Sequence, residues 1–312
     1  MKILLLGKDG QLGWELQRSL APLGELVALS RNPANNALHQ GQPLCGDLSN
    51  LQGLAETVRS VRPNLIVNAA AYTEIDKAEH NPDLARCINA TAVGVLAQEA
   101  QTLGAALVHY STDYVFDGSG EQPRDENAAT APLNVYGKTK LEGEQLVQQH
   151  CPKHLIFRTS WVYSAHGNNF AKTMLQLGQE RKRLSIVNDQ FGAPTSAELL
   201  ADITAHAVRQ LLAGDQACAG LYHLVANGQT SWYDYACFVL DAARRAGLPL
   251  QVAPDAIAPI PTCAFPTAAN RPHNSRLATQ KLQKTFGLTL PHWQCGLQRM
   301  LDEVLPILTK RL

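Results

Sequence analysis

The chain has 312 residues, 45% of them hydrophobic and 17% charged, and its 27 Lys and Arg residues balance 27 Asp and Glu residues. This length suits one large α/β unit or two smaller domains, and a zero net charge lacks the basic excess typical of nucleic-acid-binding proteins. We therefore predict no nucleic-acid partner. The apolar start at residues 1–6 is too short for a signal peptide, and no apolar run approaches the roughly 20 residues of a membrane span, so we predict no membrane partner either.

The seven cysteines are odd in number, widely scattered and without zinc-ligand spacing. This usage is typical of reduced thiols, and we predict a cytoplasmic protein. The ten histidines show no metal-binding spacing either.

The first half of the chain alternates short apolar runs with segments of helical spacing. Predicted strands cover residues 2–6, 25–30, 65–67, 105–110 and 154–159, with a further short strand before Asp47. Predicted helices cover residues 14–23, 51–60, 83–103 and 136–150. Because strands that alternate with helices form parallel sheets with right-handed crossovers, we predict a Rossmann-like, doubly wound parallel α/β sheet.

The second half of the chain is less regular. Helices are predicted over residues 170–181, 197–212, 232–246, 279–286 and 292–308, and strands over 184–187 and 221–225. Five prolines between residues 253 and 272 predict a long irregular loop. We predict an NAD(P)-binding domain over 1–165 and a smaller, mixed substrate-binding domain over 166–312. The segments near 184–190 and 221–227 are candidates to return to the first domain.

A glycine-rich turn between the first strand and the first helix predicts a dinucleotide site. It has the pattern G-x-x-G-x-x-G, formed by Gly7, Gly10 and Gly13, and encloses Gln11 and Leu12. Such glycines let the backbone approach a pyrophosphate, which then faces the free N–H groups of the helix N-terminus. The alternative is a turn that needs glycine only for its backbone angles. The spacing resembles the extended short-chain dehydrogenase/reductases rather than the G-x-G-x-x-G dehydrogenases.

Two further segments extend this site. After the second strand, where an acid often holds the adenosine ribose, the chain has Arg31, which could meet the 2′-phosphate of NADPH or be an ordinary exposed loop residue. NADPH and NADH therefore both remain open. Small residues before Ala71, Tyr72 and Thr73 let the backbone pass close to a flat cofactor, although they also suit simple helix–sheet packing.

One tyrosine, Tyr136, has a lysine four residues later, Lys140, on the same face of a predicted helix. Tyr136 could donate its proton to a carbonyl oxygen as hydride arrives from the cofactor, and Lys140 could hold the nicotinamide ribose. We expect the ammonium group and the nicotinamide charge to lower the pKa of Tyr136. The Thr112 hydroxyl, or that of Ser111, would bind the same oxygen. Asp113 would contact a sugar hydroxyl or cap a turn.

Longer stretches resemble the dTDP-4-dehydrorhamnose reductase family. They run nearly end to end and comprise residues 7–15, 68–79, 110–116, 134–140, 158–163, 189–195 and 271–277. The Tyr-x-x-x-Lys pair is generic to a superfamily, whereas the last two stretches are far more specific.

The resemblance implies reduction of the C4 keto group of dTDP-4-dehydro-L-rhamnose by NADPH or NADH, giving a precursor of cell-surface polysaccharide. It favours Thr112 over Ser111, adds Tyr110 to the cofactor site and places Asp47 and Leu48 beside the adenine. It puts Trp161 beside the sugar, where a core aromatic is the alternative reading. We infer that Arg271 pairs with the diphosphate, unless it is a loop-anchoring ion pair. Members of the family can form a homodimer with Mg²⁺ held by glutamates, and Glu15, Glu198 and Glu303 match those positions.

Two other functions compete with this reading. A nucleotide-sugar epimerase or dehydratase of the same superfamily would share the fold and the Thr, Tyr and Lys set, but a dehydratase usually needs an acid pair after the threonine, and Asp113 is followed by Tyr114. A non-catalytic NADP-binding regulatory subunit, like that of methionine adenosyltransferase, would share the fold. The intact Thr112, Tyr136 and Lys140 favour an enzyme.

Overall fold

The computed structural model of the protein describes residues 1–36, 38–39, 41–214 and 216–310. The strands in these ranges are β1 (Lys2–Leu6), β2 (Glu25–Leu29), β3 (Leu38–His39), β4 (Gln42–Pro43), β5 (Leu65–Asn68), β6 (Ala106–Thr112), β7 (His154–Thr159), β8 (Val162–Tyr163), β9 (Leu184–Val187), β10 (Phe191–Gly192), β11 (Thr195–Ser196), β12 (Gly220–His223), β13 (Thr230–Ser231) and β14 (Ile257–Ile260). The α-helices are α1 (Gln11–Leu20), α2 (Leu51–Val61), α3 (Ile75–His80), α4 (Pro82–Arg86), α5 (Ala92–Leu103), α6 (Val135–His150), α7 (Phe170–Glu180), α8 (Ala197–Leu212), α9 (Trp232–Arg245), α10 (Gln280–Phe286) and α11 (Trp293–Thr309).

Six parallel strands form the central sheet, in the order β12-β7-β6-β5-β1-β2. The chain runs outward from β1 to β2 and then returns to the other side of β1, so the order reverses between β1 and β5. In open parallel sheets this switch point leaves a crevice at the carboxyl ends of the strands, where ligands bind. The predicted doubly wound α/β class is confirmed.

Apolar side chains cover both faces of this sheet. On one face Ile3, Leu5 and Val67 pack with residues of α1, α8 and α10. On the other face Leu4 and Ile66 pack with residues of α2, α5 and α6. Strands buried on both faces explain the nearly continuous apolar runs that the sequence shows there.

A separate apolar cluster forms the largest core outside the central sheet. Helices α7, α9 and α11 pack around it with the parallel pair β9–β14. The segment at 184–187 therefore pairs outside the central sheet, whereas β12 lies at the sheet edge beside β7. Within the described residues, no helix is both long and apolar enough to cross a membrane.

Four details differ from the sequence-based expectations. Helix α1 begins at Gln11 rather than Trp14, because Gly13 is part of its first turn. The strand expected before Asp47 is a small antiparallel hairpin, β3–β4, outside the main sheet. The helix expected over 83–103 is divided by a π-helical turn at Cys87–Thr91. The proline-rich loop contains β14, which tolerates Pro259 because a two-stranded sheet leaves one strand edge without partners.

Candidate active site

The glycine-rich turn lies at the switch point and is shaped by close backbone contacts. Gly7 has φ +86°, and a side chain on it would come within 2.9 Å of the Ala70 backbone nitrogen. A side chain on Gly13 would come within 1.9 Å of the Gly7 carbonyl oxygen. Gly10 caps α1 without any side-chain hydrogen bond, so the first N–H groups of the helix remain available to an anion.

A cleft of about 660 Å³ opens above this turn. It runs from the end of β2 to the start of α6, and its volume lies in the range of cofactor and ligand pockets. Predicted cofactor residues that line it are Gly7, Gly10, Gln11, Leu12, Arg31, Ala71, Thr73, Tyr110, Tyr136 and Lys140. The exposed Arg31 lies at the end of the cleft next to Ser30 and Asn32.

Four other predicted cofactor residues lie outside this set of lining residues: Gly13, which packs against Gly7 within the turn, and Asp47, Leu48 and Tyr72. Asp47 accepts hydrogen bonds from the backbone and hydroxyl of Ser49, at 3.0 and 2.8 Å. Leu48 is buried in the core beneath the sheet. The backbone of Tyr72 is bonded in both directions by the side chain of Asn89.

Tyr136 and Lys140 occupy the first two turns of α6, which the Asn134 side chain caps by accepting from the backbone of Gly137. Both residues line the cleft. Burial raises the pKa of Tyr136 well above its usual value, and a hydrogen bond with Thr112 opposes that rise. Among the groups of the chain itself, desolvation of the phenolate therefore dominates, and the lowering of this pKa by the nicotinamide charge stays a prediction.

The two candidate hydroxyls at the end of β6 have different surroundings. Thr112 Oγ1 donates to Asp113 Oδ1 at 3.0 Å, accepts from the Tyr114 backbone at 3.2 Å and is hydrogen-bonded to Tyr136. Ser111 Oγ is buried, lines the cleft and has no partner within the described part of the chain. The hydroxyl next to the Tyr136 oxygen is thus that of Thr112, whereas Ser111 faces the cofactor cleft.

Lys140 is only 2% exposed. Its Nζ donates to the Tyr110 carbonyl at 2.6 Å and lies 3.3 Å from His109 Nε2. Burial lowers the pKa of Lys140 to about 8, and the negative charge of Glu144 opposes the fall. Glu144 is itself ion-paired with the buried Arg158 of β7. The charge of Lys140 therefore depends on a small set of buried neighbours.

Asp113 is also buried, at the start of a short helical turn after β6. Burial raises its pKa to about 6, while hydrogen bonds from Ser275 and Thr112 lower it. Its Oδ2 atom has no partner within the described residues. A buried carboxyl oxygen without a donor is the kind of group that a substrate hydroxyl can satisfy.

Trp161 adopts a left-handed backbone, with φ +49°, which is uncommon for a bulky residue. One face of its indole ring stacks on Trp232, with centroids 3.7 Å apart and planes 18° from parallel. Gly192 lies against the same ring, where an added side chain would come within 2.8 Å. Non-glycine residues held in this conformation cluster at functional sites.

Arg271 forms an ion pair with Asp76, at 2.5 Å between Nη2 and Oδ2. Its charge also lowers the pKa of Tyr114, although burial is the larger influence and raises that pKa to about 12. In the protein alone, therefore, Arg271 makes the loop-anchoring contact that was the alternative to a diphosphate contact.

Burial raises the pKa of Glu198, the Arg299 guanidinium lowers it, and the charges of Glu15 and Glu303 raise it, so both glutamates lie within electrostatic range of Glu198. However, the Arg299 guanidinium lies 3.5 Å from Glu198 and 3.7 Å from Glu303. Among the residues that the structure describes, no group of three or more His, Cys, Asp or Glu side chains is arranged to hold a metal ion. One chain therefore does not by itself present a fitting Mg²⁺ site.

Sequence reasoning missed three residues that contact this site: His109, Trp232 and Ser275. His109 could have been found as a polar residue inside an otherwise apolar strand. Ser275 lies within the specific stretch 271–277, and Trp232 is one of only four tryptophans. None of these sequence features predicts which side chain the residue contacts.

Comparison with known proteins gives consistent matches. The sequence matches the family described as the RmlD substrate binding domain over residues 1–305. It is 59% identical to the dTDP-4-dehydrorhamnose reductase of Escherichia coli (strain K12) over 97% of this chain and 98% of that protein. The crystal structures of a dTDP-4-dehydrorhamnose reductase from Clostridium acetobutylicum and of one from Bacillus anthracis in complex with NADP each superpose with a TM-score of 0.85, at 35% identity, over 97% of this chain and 99% of theirs.

Proposed function

The chain belongs to the RmlD substrate binding domain family, and from this premise we propose that it reduces the C4 keto group of dTDP-4-dehydro-L-rhamnose with NADPH or NADH to give dTDP-L-rhamnose. The observation that carries the proposal is the 59% identity to the Escherichia coli dTDP-4-dehydrorhamnose reductase across 97% of the chain. The protein would then catalyse the last step of dTDP-rhamnose synthesis. This step would take place in the cytoplasm and supply a precursor of cell-surface polysaccharide.

The residues at the cleft suit a nicotinamide dinucleotide. Backbone N–H groups at the start of α1, which no side chain caps, would hold the pyrophosphate, and Arg31 at the far end of the cleft could meet a 2′-phosphate. Ser111 and Thr159 each have a buried hydroxyl without a partner in the described chain, and both line the cleft. When bound, the cofactor supplies hydride to the substrate carbonyl carbon.

Tyr136 would donate the proton that the carbonyl oxygen needs. Because burial raises the pKa of Tyr136, its phenol stays protonated at neutral pH, which is the form that a reductase requires. Thr112, hydrogen-bonded to the same phenol, would stabilise the negative charge that develops on that oxygen. Lys140 would hold the nicotinamide ribose.

The remaining substrate contacts are proposed from their positions around the site. Asp113 would accept from a sugar hydroxyl through its unpartnered Oδ2, and Trp161 would lie beside the sugar ring. Arg271 would meet the diphosphate while still near Asp76. The proposal of a homodimer that binds Mg²⁺ rests only on the electrostatic effect of Glu15 and Glu303 on Glu198. Light scattering in Mg²⁺ and in EDTA tests both, and a monomer in each solution would refute them.

The function is tested by mixing purified protein with freshly made dTDP-4-dehydro-L-rhamnose and following the nicotinamide absorbance of NADPH. We expect oxidation that requires the sugar and falls about 100-fold or more in Tyr136→Phe, because the proton donor is lost. Tyr233→Phe, at a half-buried tyrosine of α9 that does not line the cleft, is the matched control and should retain wild-type turnover. No oxidation of NADPH or NADH by the wild type would refute the proposal.

A further inference from the structure

A chain of three buried polar side chains leads from the middle of the sheet to the cofactor cleft. It consists of Asn68 on β5, His109 on β6 and Lys140 on α6, each no more than 2% exposed. Asn68 Nδ2 lies 3.3 Å from His109 Nδ1, and His109 Nε2 lies 3.3 Å from Lys140 Nζ. Buried polar groups at such distances are hydrogen-bonded, so their hydrogens can be assigned by elimination.

A charged lysine has three N–H donors. The first points to the Tyr110 carbonyl at 2.6 Å, a short contact typical of a donor that carries charge. The second faces His109 Nε2. Because Lys140 also lines the cleft, the third is left for a ligand there.

His109 must be neutral to accept this hydrogen bond. Burial and the adjacent Lys140 hold the pKa of His109 well below its usual value, so its ring carries a single hydrogen. If Nε2 accepts from Lys140, that hydrogen is on Nδ1 and points to the Asn68 amide, whose oxygen must then face the ring. Turning the amide in this way gives up the bond that Asn68 Oδ1 accepts from the Ala70 backbone at 3.2 Å, in exchange for a charge-assisted bond from Lys140 to His109, which is the stronger kind.

The opposite arrangement suits a neutral lysine. Asn68 Oδ1 then accepts from the Ala70 backbone at 3.2 Å, Nδ2 donates to His109 Nδ1, and the ring hydrogen lies on Nε2, directed at Lys140. A hydrogen in that position would repel an ammonium group. The protonation of Lys140 and the tautomer of His109 are therefore linked.

We propose that His109 is a positioning residue for Lys140: its unprotonated Nε2 holds the charged lysine so that one N–H remains directed at the bound nicotinamide cofactor. The proposal rests on the proposed function only in assuming that the cleft binds such a cofactor. It assigns His109 a role beyond packing in the sheet.

The other groups that face Lys140 do not replace His109. On its own helix, Tyr136 precedes Lys140 by one turn, and Glu144, which follows by one turn, is engaged by Arg158 of β7. On β6 the Tyr110 carbonyl is the second acceptor. Since burial lowers the pKa of Lys140 to about 8, loss of an acceptor should discharge it within an accessible pH range.

The test is the affinity for NADPH, measured by its fluorescence between pH 6 and 10 without any sugar. For the wild type we expect affinity to fall as the pH rises through about 8, because the ammonium is the better donor. In His109→Leu this fall should begin about one pH unit lower, with up to about tenfold weaker binding at pH 8. His109→Gln, which keeps an acceptor, should restore most of the wild-type profile.

His154→Leu is the matched control, because it removes a buried histidine from the neighbouring strand β7 that is hydrogen-bonded to Cys151 rather than to Lys140. It should leave the pH profile unchanged. If His109→Leu loses thermal stability but keeps the wild-type pH profile, or if His109→Gln behaves like His109→Leu, the inference is overturned. Should His109→Leu not fold, Asn68→Ala should shift the profile in the same direction by a smaller amount, and no shift would count equally against the inference.

The assay separates this inference from the proposed function. A wild-type protein that binds NADPH with the expected pH dependence but reduces no keto-sugar would refute the function and leave the role of His109 intact. Normal turnover together with an unshifted His109→Leu profile would do the reverse.

Discussion

Asp113 is a residue at which stability and the proposed function are opposed. It is 2% exposed, and one of its carboxylate oxygens has no hydrogen-bond donor in the described chain. Burial raises its pKa to about 6, from 3.8 for an ordinary aspartate. The folded protein is more stable when this carboxyl is protonated than when it is ionised. At neutral pH the carboxyl is ionised, and the free energy of unfolding is therefore lower.

We therefore expect Asp113→Asn to stabilise the protein at pH 8 and to lower its activity. The folded state binds the proton of Asp113 more tightly than the unfolded chain, so this contribution to stability is present below about pH 4 and is lost as the pH rises to about 6. The difference in free energy of unfolding between the variant and the wild type should therefore be more favourable to the variant at pH 8 than at pH 3.5, by roughly 2–3 kcal/mol. Urea unfolding at the two pH values measures this change.

If Asp113 contacts the sugar, kcat/KM of Asp113→Asn should fall about tenfold or more at pH 8, because an amide replaces a charged acceptor. Equal stability differences at the two pH values would show that the carboxyl titrates normally. Unchanged kcat/KM would remove Asp113 from the substrate site.

Some of this site could be predicted from single residues. The four-residue spacing of Tyr136 and Lys140 places both on one helical face, and the structure has them on the first turns of α6. The pKa of Tyr136 could not be predicted, because its direction depends on how completely the surrounding chain excludes water. His109 was missed for a related reason: a histidine in an apolar strand reveals its partner only when the neighbouring helix is placed.

At the scale of elements, the segment 261–271 is a strap anchored at both ends by an aspartate. At one end Asp189 accepts from the Thr262 backbone and hydroxyl, at 2.9 and 2.5 Å. At the other end Asp76, on α3 of the first half of the chain, accepts from the Ala269 backbone and pairs with Arg271. The strap therefore joins the two halves of the molecule beside the site.

Removing the second anchor should weaken substrate binding without slowing the chemical step. We expect Asp76→Ala to raise KM for the nucleotide sugar about five- to tenfold, because Ala269 and Arg271 lose their shared acceptor, while kcat changes less than twofold. Steady-state kinetics at saturating NADPH measures both constants.

The exposed Asp83→Ala, which removes a carboxylate from the neighbouring helix α4, is the control and should leave both constants unchanged. A fall in kcat of Asp76→Ala as large as the fall in kcat/KM would show instead that the strap acts in the transition state.

The same segment shows where element prediction from sequence ends. Five prolines indicated an irregular loop, yet β14 forms within it because β9 offers a parallel partner 73 residues earlier in the chain. Pro259 is compatible with that pairing, since only one edge of β14 is bonded. The strands of the central sheet were predictable because each is apolar on both faces. Their order was not, because it depends on which helices cover which face.

At the scale of the whole molecule, the cofactor turn is tied to the second half of the chain. Gln11, in the first turn of α1, donates to the Val162 carbonyl at 3.5 Å and accepts from the Asn169 side chain at 3.0 Å. Trp14 stacks on His166, with ring centroids 4.5 Å apart. Asn169 also caps α7 by accepting from the Lys172 backbone. Order imposed on the turn by a bound cofactor should therefore pass directly to α7.

This connection predicts how the protein unfolds with cofactor bound. A ligand at 100 times its Kd stabilises the folded state by about 2.7 kcal/mol. If the 312 residues unfold together, their unfolding entropy converts this gain to a rise in Tm of about 4 °C in a single calorimetric transition. If the halves unfolded independently, only the half with the cofactor would shift, by more than 4 °C, and a second transition would stay in place.

We expect the first outcome for the wild type and a broadened or divided transition for Gln11→Ala, which removes the side-chain bonds to Val162 and Asn169. The exposed Gln98→Ala on α5 should behave like the wild type. Each variant is measured by scanning calorimetry without NADPH and with NADPH at 100 times the Kd of that variant. The stabilisation by the cofactor is then equal in all variants. Two wild-type transitions, one of them insensitive to NADPH, would mean that the contacts of Gln11 and Trp14 join the halves without making them cooperative.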